Sequence, residues 1–338
     1  MLISMNTHFF KKTFTWLLNF IHLQVFITLI MLPILIFWGL PISLLSPLGN
    51  LIFTPILTAF LILSSLVFFT ELFHLPNALF IFCLEKISLI WMAAMKTDRY
   101  PWLFGFKKPS LIIAFAIPIL ALLVLHFKRL HSTYISIVCY CTLLIISFSY
   151  LKYIDAADRK PLQSIPCNKG SVTLIHVENQ LILIDPGVIG QRISAPSWIE
   201  YTLMPDIIKT TGKTEIDLVI VLQPSLMTFQ AMQTLVSKMR VHTLYLITWQ
   251  GTAPKNWWRS FFAFNTAMNE HATTLHRVGT NEINIPLSNG TITITPLEQT
   301  IKDKELSYQA VKVTTAIAKQ STETYSYKYK KKPPQIDK

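Results

Sequence analysis

Val172-Thr173-Leu174-Ile175-His176-Val177, Glu178-Asn179-Gln180, Leu181-Ile182-Leu183-Ile184 and Asp185-Pro186-Gly187 follow one another without interruption. The first and third runs are β-branched and aliphatic, the second is a short polar turn, and Asp-Pro-Gly is a stop. The stretch predicts a strand, a tight turn and a second strand. Downstream, Trp198 to Thr210 has helical spacing and Gly212 supplies its stop. Asp217 introduces the apolar strand Leu218 to Leu222. Thr228 to Met239 has helical spacing with Phe229, Met232, Leu235, Val236 and Met239 on one face. Thr243 to Thr248 predicts a strand and Trp257 to Met268 a helix. Asn289-Gly290 between Ile283–Leu287 and Thr291–Thr295 predicts a hairpin. Strands that alternate with helices and then give way to a hairpin predict a layered α/β domain over 171–315.

Upstream the composition changes. Of 30 Lys+Arg and 18 Asp+Glu, only 9 and 3 fall in Met1–Leu151, against 21 and 15 in Lys152–Lys338. The break places a domain boundary near Tyr150, followed by a linker over 152–170. Apolar runs long enough for a bilayer, about 20 residues each, occur at Phe20–Trp38, Leu51–Leu72, Leu111–Phe127 and Tyr134–Leu151. A fifth, Asn77–Met95, carries Glu85 and Lys86 at its middle, where a charge costs ~2.5–3.5 kcal/mol on insertion scales. It is either a fifth span with a functional charge pair or a helix lying in the interface. The side on which the C-terminal domain lies depends on that choice. The expectation is a multi-pass helical membrane region of four or five helices over 1–151. Asn50 reads either as a helix cap or as a residue facing a conduit. Pro33, Pro41, Pro55 and Pro118 could break helices along such a path.

The net charge of +12 is not a nucleic-acid footprint in itself. Lys328 to Lys338 alone carry five Lys and one Asp, in a segment, 316–338, that reads as a disordered basic tail. Its Tyr/Lys alternation suits either bases and phosphates or anionic lipid headgroups. Cys83, Cys139, Cys141 and Cys167 form no C-x-x-C, and neither a G-x-S-x-G elbow nor a Gly-rich phosphate loop occurs.

Two segments resemble the ComEC-type competence proteins, the membrane channel family for uptake of transforming DNA. One is the stretch from Leu32-Pro33 through Met95, which contains the run from Pro41 to Pro55 with Gly49-Asn50-Leu51. The sharper one is soluble. The family's metallo-β-lactamase-like domain has a strand pair closing on Leu-Ile-Asp-Gly, a Leu-Pro helix ending in Gly, Ile-Asp before a strand, and then H-x-H-x-D-H. Leu183-Ile184-Asp185-Pro186-Gly187, Leu203-Met204-Pro205 through Gly212, and Glu215-Ile216-Asp217-Leu218 match the first three. The metal motif is not matched. Gln223, Ser225 and Thr228 stand at its His positions and Met227 at its Asp position, and these are poor ligands for zinc or manganese. Asp185 alone is expected to end its strand and accept backbone N–H groups. His271 and His276 have no ligand spacing, and His176, in a strand beside apolar neighbours, reads as a satisfied half-buried residue.

The resemblance implies the C-terminal portion of such a channel in a bacterial inner membrane. Its cargo would be single-stranded DNA, its partners the bilayer, a separately encoded amino-terminal portion and other uptake proteins. No cofactor and no enzymatic activity are expected. The competing expectations are a transport-inactive remnant or structural membrane protein, and a membrane-anchored metal-dependent nuclease.

Overall fold

A computed structural model describes the chain except Met1, 44–45, 96–102, 128–132, 158–161, 168–169, 192–193, 288–289, 304–305, 318–319 and 326–338. It divides into two compact units. The first holds most of Met1–Leu151. The second holds Lys152–Lys338 together with Trp38–Leu40 and Gly105–Lys108.

The first unit is helical. Helix α1 runs from Leu2 to Trp38, followed by the two-residue strand β1 (Ile42–Ser43), α2 (Ser46–Leu72), α3 (Ala78–Met95), strand β2 (Leu103–Phe104), α4 (Leu111–Phe127) and α5 (Thr133–Ala157). Strands β1 and β2 pair antiparallel. Among the described residues three helical stretches are long and apolar enough to cross a membrane: Phe14–Trp38, Gly49–Leu72 and Ile135–Ile154. The apolar stretch Leu111–Val124 is shorter. Among the described residues that is fewer than the four or five spans expected from composition, and α4 as a whole, Leu111–Phe127, is a little under the roughly 20 residues a span needs.

Side chains in this unit meet an environment that water does not explain. Ile52, Leu57, Leu61, Ile62, Phe68 and Phe69 of α2 are all exposed. The α2 hydroxyls of Thr54, Thr58, Ser65 and Thr70 each donate to a carbonyl four residues back, which satisfies them without solvent. Where helices touch, Tyr140 is buried, donates to the Ala121 carbonyl at 3.3 Å and lies 5.0 Å from the His22 ring.

The second unit is an α/β layered structure. In chain order it contains β3 (Leu162–Cys167), β4 (Gly170–Val177), β5 (Gln180–Asp185), α6 (Ala195–Trp198), a π-turn (Ile199–Leu203), α7 (Met204–Thr211), β6 (Glu215–Val221) and α8 (Leu226–Lys238). Then come β7 (Arg240–Ile247), β8 (Trp249–Gly251), α9 (Lys255–Glu270), β9 (Thr274–Val278), β10 (Ile283–Leu287), β11 (Gly290–Asp303), β12 (Leu306–Ile317) and β13 (Gln320–Tyr325). One sheet has the order β3-β4-β5-β6-β7-β9, parallel from β5 onward. The other is antiparallel, β10-β11-β12-β13, with β8 added on β12.

Strict alternation decides the layers. Along β5, Leu181 and Leu183 join a core with the helices while Ile182 and Ile184 join a core with the second sheet. Along β6, Val219 and Val221 face the helices and Leu218 and Ile220 the second sheet. A parallel strand covered on both faces is apolar along its covered run, as Leu181–Ile184 of β5 and Leu218–Val221 of β6 are. The helix core centres on Phe229, whose ring lies 4.9 Å from Trp257, 5.4 Å from Phe261 and 5.7 Å from Phe264.

Several expectations are corrected. The helix expected over Trp198–Thr210 is broken by a π-turn. Pro205 has no N–H to return to the preceding turn, and Met204 instead bonds the Ile199 carbonyl. Gly212 ends α7 at φ +67° with its N–H on the Ile208 carbonyl. The carbonyls there are completed by Lys108 N–H on Lys209 at 2.9 Å and by Lys152 Nζ on Gly212 at 3.3 Å. The expected linker 152–170 contains the end of α5 and all of β3. The expected disordered tail contains the end of β12 and β13, paired from Lys312↔Tyr325 to Ile317↔Gln320. Polar edge strands lack the apolar pattern that marks a core strand, so composition hides them. The remainder of that tail, 326–338, lies outside the described residues.

Truncating Phe229 to Ala is expected to destabilise the second unit by about 3–5 kcal/mol. Tyr201→Ala, at a side chain 75 % exposed, is expected to stay within about 0.5 kcal/mol. Denaturant melting of the full chain in detergent, followed by near-ultraviolet circular dichroism, checks both.

Candidate functional site

In a parallel sheet the strand ends and the loops beyond them are the usual place for chemistry. Here β5 ends at Asp185, opposite Val221 of β6, and the ladder continues one step as Leu222 N–H bonds the Asp185 carbonyl at 3.0 Å. The Asp185 side chain is fully buried. Its Oδ1 accepts three backbone N–H groups, from Gly187 and Val188 at 2.9 Å and from Ile189 at 3.3 Å. Oδ2 is buried and has no partner among the described residues.

The turn that Asp185 caps lies directly against the loop after β6. Gly187 has φ +103°, and a Cβ there would fall 2.4 Å from Gln223 Oε1. A Cβ on Gly190 would fall 2.3 Å from Thr228 Oγ1 and 2.4 Å from Ser225 Oγ. Both glycines are required because the loop occupies the space a side chain would need. Ser225 is the N-cap of α8 and accepts the Thr228 N–H at 3.1 Å. Its hydroxyl also lies 2.8 Å from Thr228 Oγ1. Gln223 and Thr228 are buried, whereas Met227 is half-buried and packs against the helix core.

Of the residues singled out in the sequence, Asp185, Gln223, Ser225 and Thr228 therefore meet at one place. Asp217 and Gly212 do not belong to it. Asp217 sits near the opposite end of β6, where its Oδ2 accepts the Leu181 N–H at 2.6 Å and lies 3.6 Å from Lys213 Nζ. Gly212 caps α7. His276 stacks on Tyr245 at 4.9 Å, and His271 closes α9.

The donors assembled at Asp185 do not fit a divalent cation. One carboxylate oxygen is already occupied by three amides, the neighbouring side chains offer an amide and two hydroxyls, and none adds charge. Among the described residues no three His, Cys, Asp or Glu gather as a metal site. Sequence reasoning placed Gly187 in the stop after the strand but gave it no further role, and it missed Gly190. Their role is the close approach of two loops, visible only once both are placed.

In the helical unit, Asn50 is not a cap. It lies inside α2, which begins at Ser46, and its Nδ2 donates to Gln24 Oε1 of α1 at 2.8 Å. Pro55 lies inside α2 and Pro33 inside α1. Glu85 and Lys86 are exposed on α3. Glu85 borders a groove of about 490 Å³ with Phe60 of α2, and Lys86 lies 5.3 Å over the Phe82 ring. No protein-family model and no curated protein matches the chain.

Burial pushes the Asp185 carboxyl up from 3.8 to about 6, against the opposing pull of the Gly187, Ile189 and Val188 N–H groups. The folded state therefore holds a proton that the unfolded chain has released between these two values. The contribution of Asp185 to stability is full below pH 3.8 and is lost as pH rises to about 6, at about 1.4 kcal/mol per pH unit inside that window. Asp185→Asn keeps an acceptor for the three N–H groups and removes the titration. Melting curves across pH are expected to show this component of the slope in the natural chain and not in the variant. Ser225→Ala is expected to cost about 1 kcal/mol through the lost cap, read in the same assay.

Proposed function

We propose that the chain is a membrane component of DNA uptake in natural transformation. In this reading it corresponds to the C-terminal portion of a ComEC-type channel in the bacterial inner membrane and helps to pass single-stranded DNA. The second unit is then a metallo-β-lactamase-like domain that does no chemistry. The helical unit followed by a layered α/β unit supports this, as does the order of Asp185 at the end of β5, Gly212 capping α7 and Asp217 on β6. The observation that carries the non-catalytic part is the use of the site's residues as structure. Asp185 closes a turn, and Ser225 with Thr228 starts a helix. A metal-activated water needs several charged or imidazole ligands, and the turn and cap here need none.

In this reading the separately encoded amino-terminal portion and other uptake proteins are its partners. The interhelical Asn50–Gln24 bond and the groove at Glu85 are the polar features of the helical unit available to a path. A second reading, a transport-inactive remnant or structural membrane protein, is favoured by one observation: only three described helices have the length and composition of a span.

Two measurements separate the readings. Deleting the chain from its host is expected to lower uptake of labelled DNA. The full chain and its Asp185→Asn variant should both restore uptake, and Lys152–Lys338 alone should not. Unchanged uptake on deletion would select the remnant. Restoration by the natural chain but not by a stably expressed Asp185→Asn variant would point to chemistry at the site. Elemental analysis after purification in zinc and manganese is expected to find no stoichiometric metal that depends on Asp185.

A further inference from the structure

From Leu162 onward, the exposed large apolar side chains among the described residues are Leu162, Tyr201, Trp258 and Phe262. Two of these four lie one turn apart on α9. That helix buries Trp257, Phe261, Phe264 and Met268 against the core. Its outer face carries Lys255, Trp258, Arg259 and Phe262, all exposed, at spacing i, i+3, i+4, i+7. The only acidic residue of α9 is Glu270, at its far end. Arg277 of β9, also exposed, lies 5.9 Å over the Trp249 ring and 5.8 Å over the Phe261 ring, and Phe261 in turn adjoins Trp258 and Phe262 at 6.0 Å each. Lys255 and Arg259 thus share the outer face with the two exposed rings, and Arg277 lies over Phe261, which adjoins both.

A helix face that meets only water gains nothing from an exposed Trp and Phe. An amphipathic helix with Trp and Phe on its apolar part and Lys and Arg beside them fits the headgroup region of an anionic bilayer. There an indole finds both an apolar and a wet neighbour, and each basic side chain gains from the negative surface potential. Among its described residues the same chain holds three stretches long and apolar enough to cross a membrane, so the chain carries its own attachment to a lipid surface. We infer that the Lys255/Trp258/Arg259/Phe262 face of α9, flanked by Arg277, docks on an anionic phospholipid surface. The inference does not depend on the proposed transport role.

The test uses the full chain in nanodiscs, with an environment-sensitive fluorescent amino acid replacing Phe262 or, as control, Tyr201. In discs containing phosphatidylglycerol at low salt, brominated lipid is expected to quench the probe at 262 and not the probe at 201. Raising the salt or changing to pure phosphatidylcholine should relieve the quenching. Lys255→Gln and Arg259→Gln should each lower the docked-to-free ratio by about fivefold with an unchanged circular dichroism spectrum. The absence of lipid quenching at 262 in anionic discs overturns the proposal. So does a probe at 262 that responds to oligothymidylate and not to lipid, which would assign the face to single-stranded nucleic acid, since aromatic rings beside cations also stack on bases.

Discussion

Oδ1 of Asp185 collects the N–H groups of Gly187, Val188 and Ile189 at the end of β5, and this convergence sets the geometry around it. A buried N–H without a partner costs about 1–3 kcal/mol, so three of them could not turn here unaided. With the turn closed, Gly187 and Gly190 come flush against Gln223, Ser225 and Thr228, and the start of α8 is fixed relative to β5. The cost falls on the other oxygen. Oδ2 is buried with no described partner, and the net effect of burial over the three N–H bonds is a carboxyl pushed up to about 6. Desolvation wins over hydrogen bonding. The residue stabilises the fold most when protonated.

Around that turn the α/β unit is held by two cores separated by a single sheet. The alternation along β5 and β6 sends neighbouring aliphatic residues to opposite sides, one set to Phe229 and its aromatic neighbours and the other to Ile292, Ile294 and Val313 of the antiparallel sheet. The helical unit obeys a different solvent rule. It leaves Ile, Leu and Phe outward and folds its hydroxyls back on its own carbonyls. That is the arrangement expected when lipid is the surroundings.

Much of this was legible in the residues. The strand pair before Asp185, the Gly212 stop, the strand after Asp217, the apolar face of α8 and the hairpin at Asn289-Gly290 each follow from a local rule, and the elements lie where those rules put them within a few residues. The elements that were not legible are those whose reason is non-local. Strand β3, Leu162-Gln163-Ser164-Ile165-Pro166-Cys167, buries only Ile165 and Cys167 and reads as linker until β4 is beside it. Strand β13, Gln320–Tyr325, reads as tail because pairing with β12 makes it a strand. At the site, the absence of His and carboxylate side chains at Gln223, Ser225 and Met227 was readable as a composition. What those residues do was not, because a helix cap and two glycine contacts appear only once the loops are placed.

The central claim is that Asp185 is a buried, proton-holding structural carboxyl. Infrared difference spectroscopy tests it most directly. The carboxylic C=O stretch of Asp185 in the full chain is assigned by its disappearance in Asp185→Asn and followed as pH is varied. The account predicts a band present at low pH that is lost with a midpoint near 6 and is unmoved by saturating zinc or manganese. A carboxylate that is already ionised at pH 4, or whose spectrum shifts when either metal is added, would contradict it.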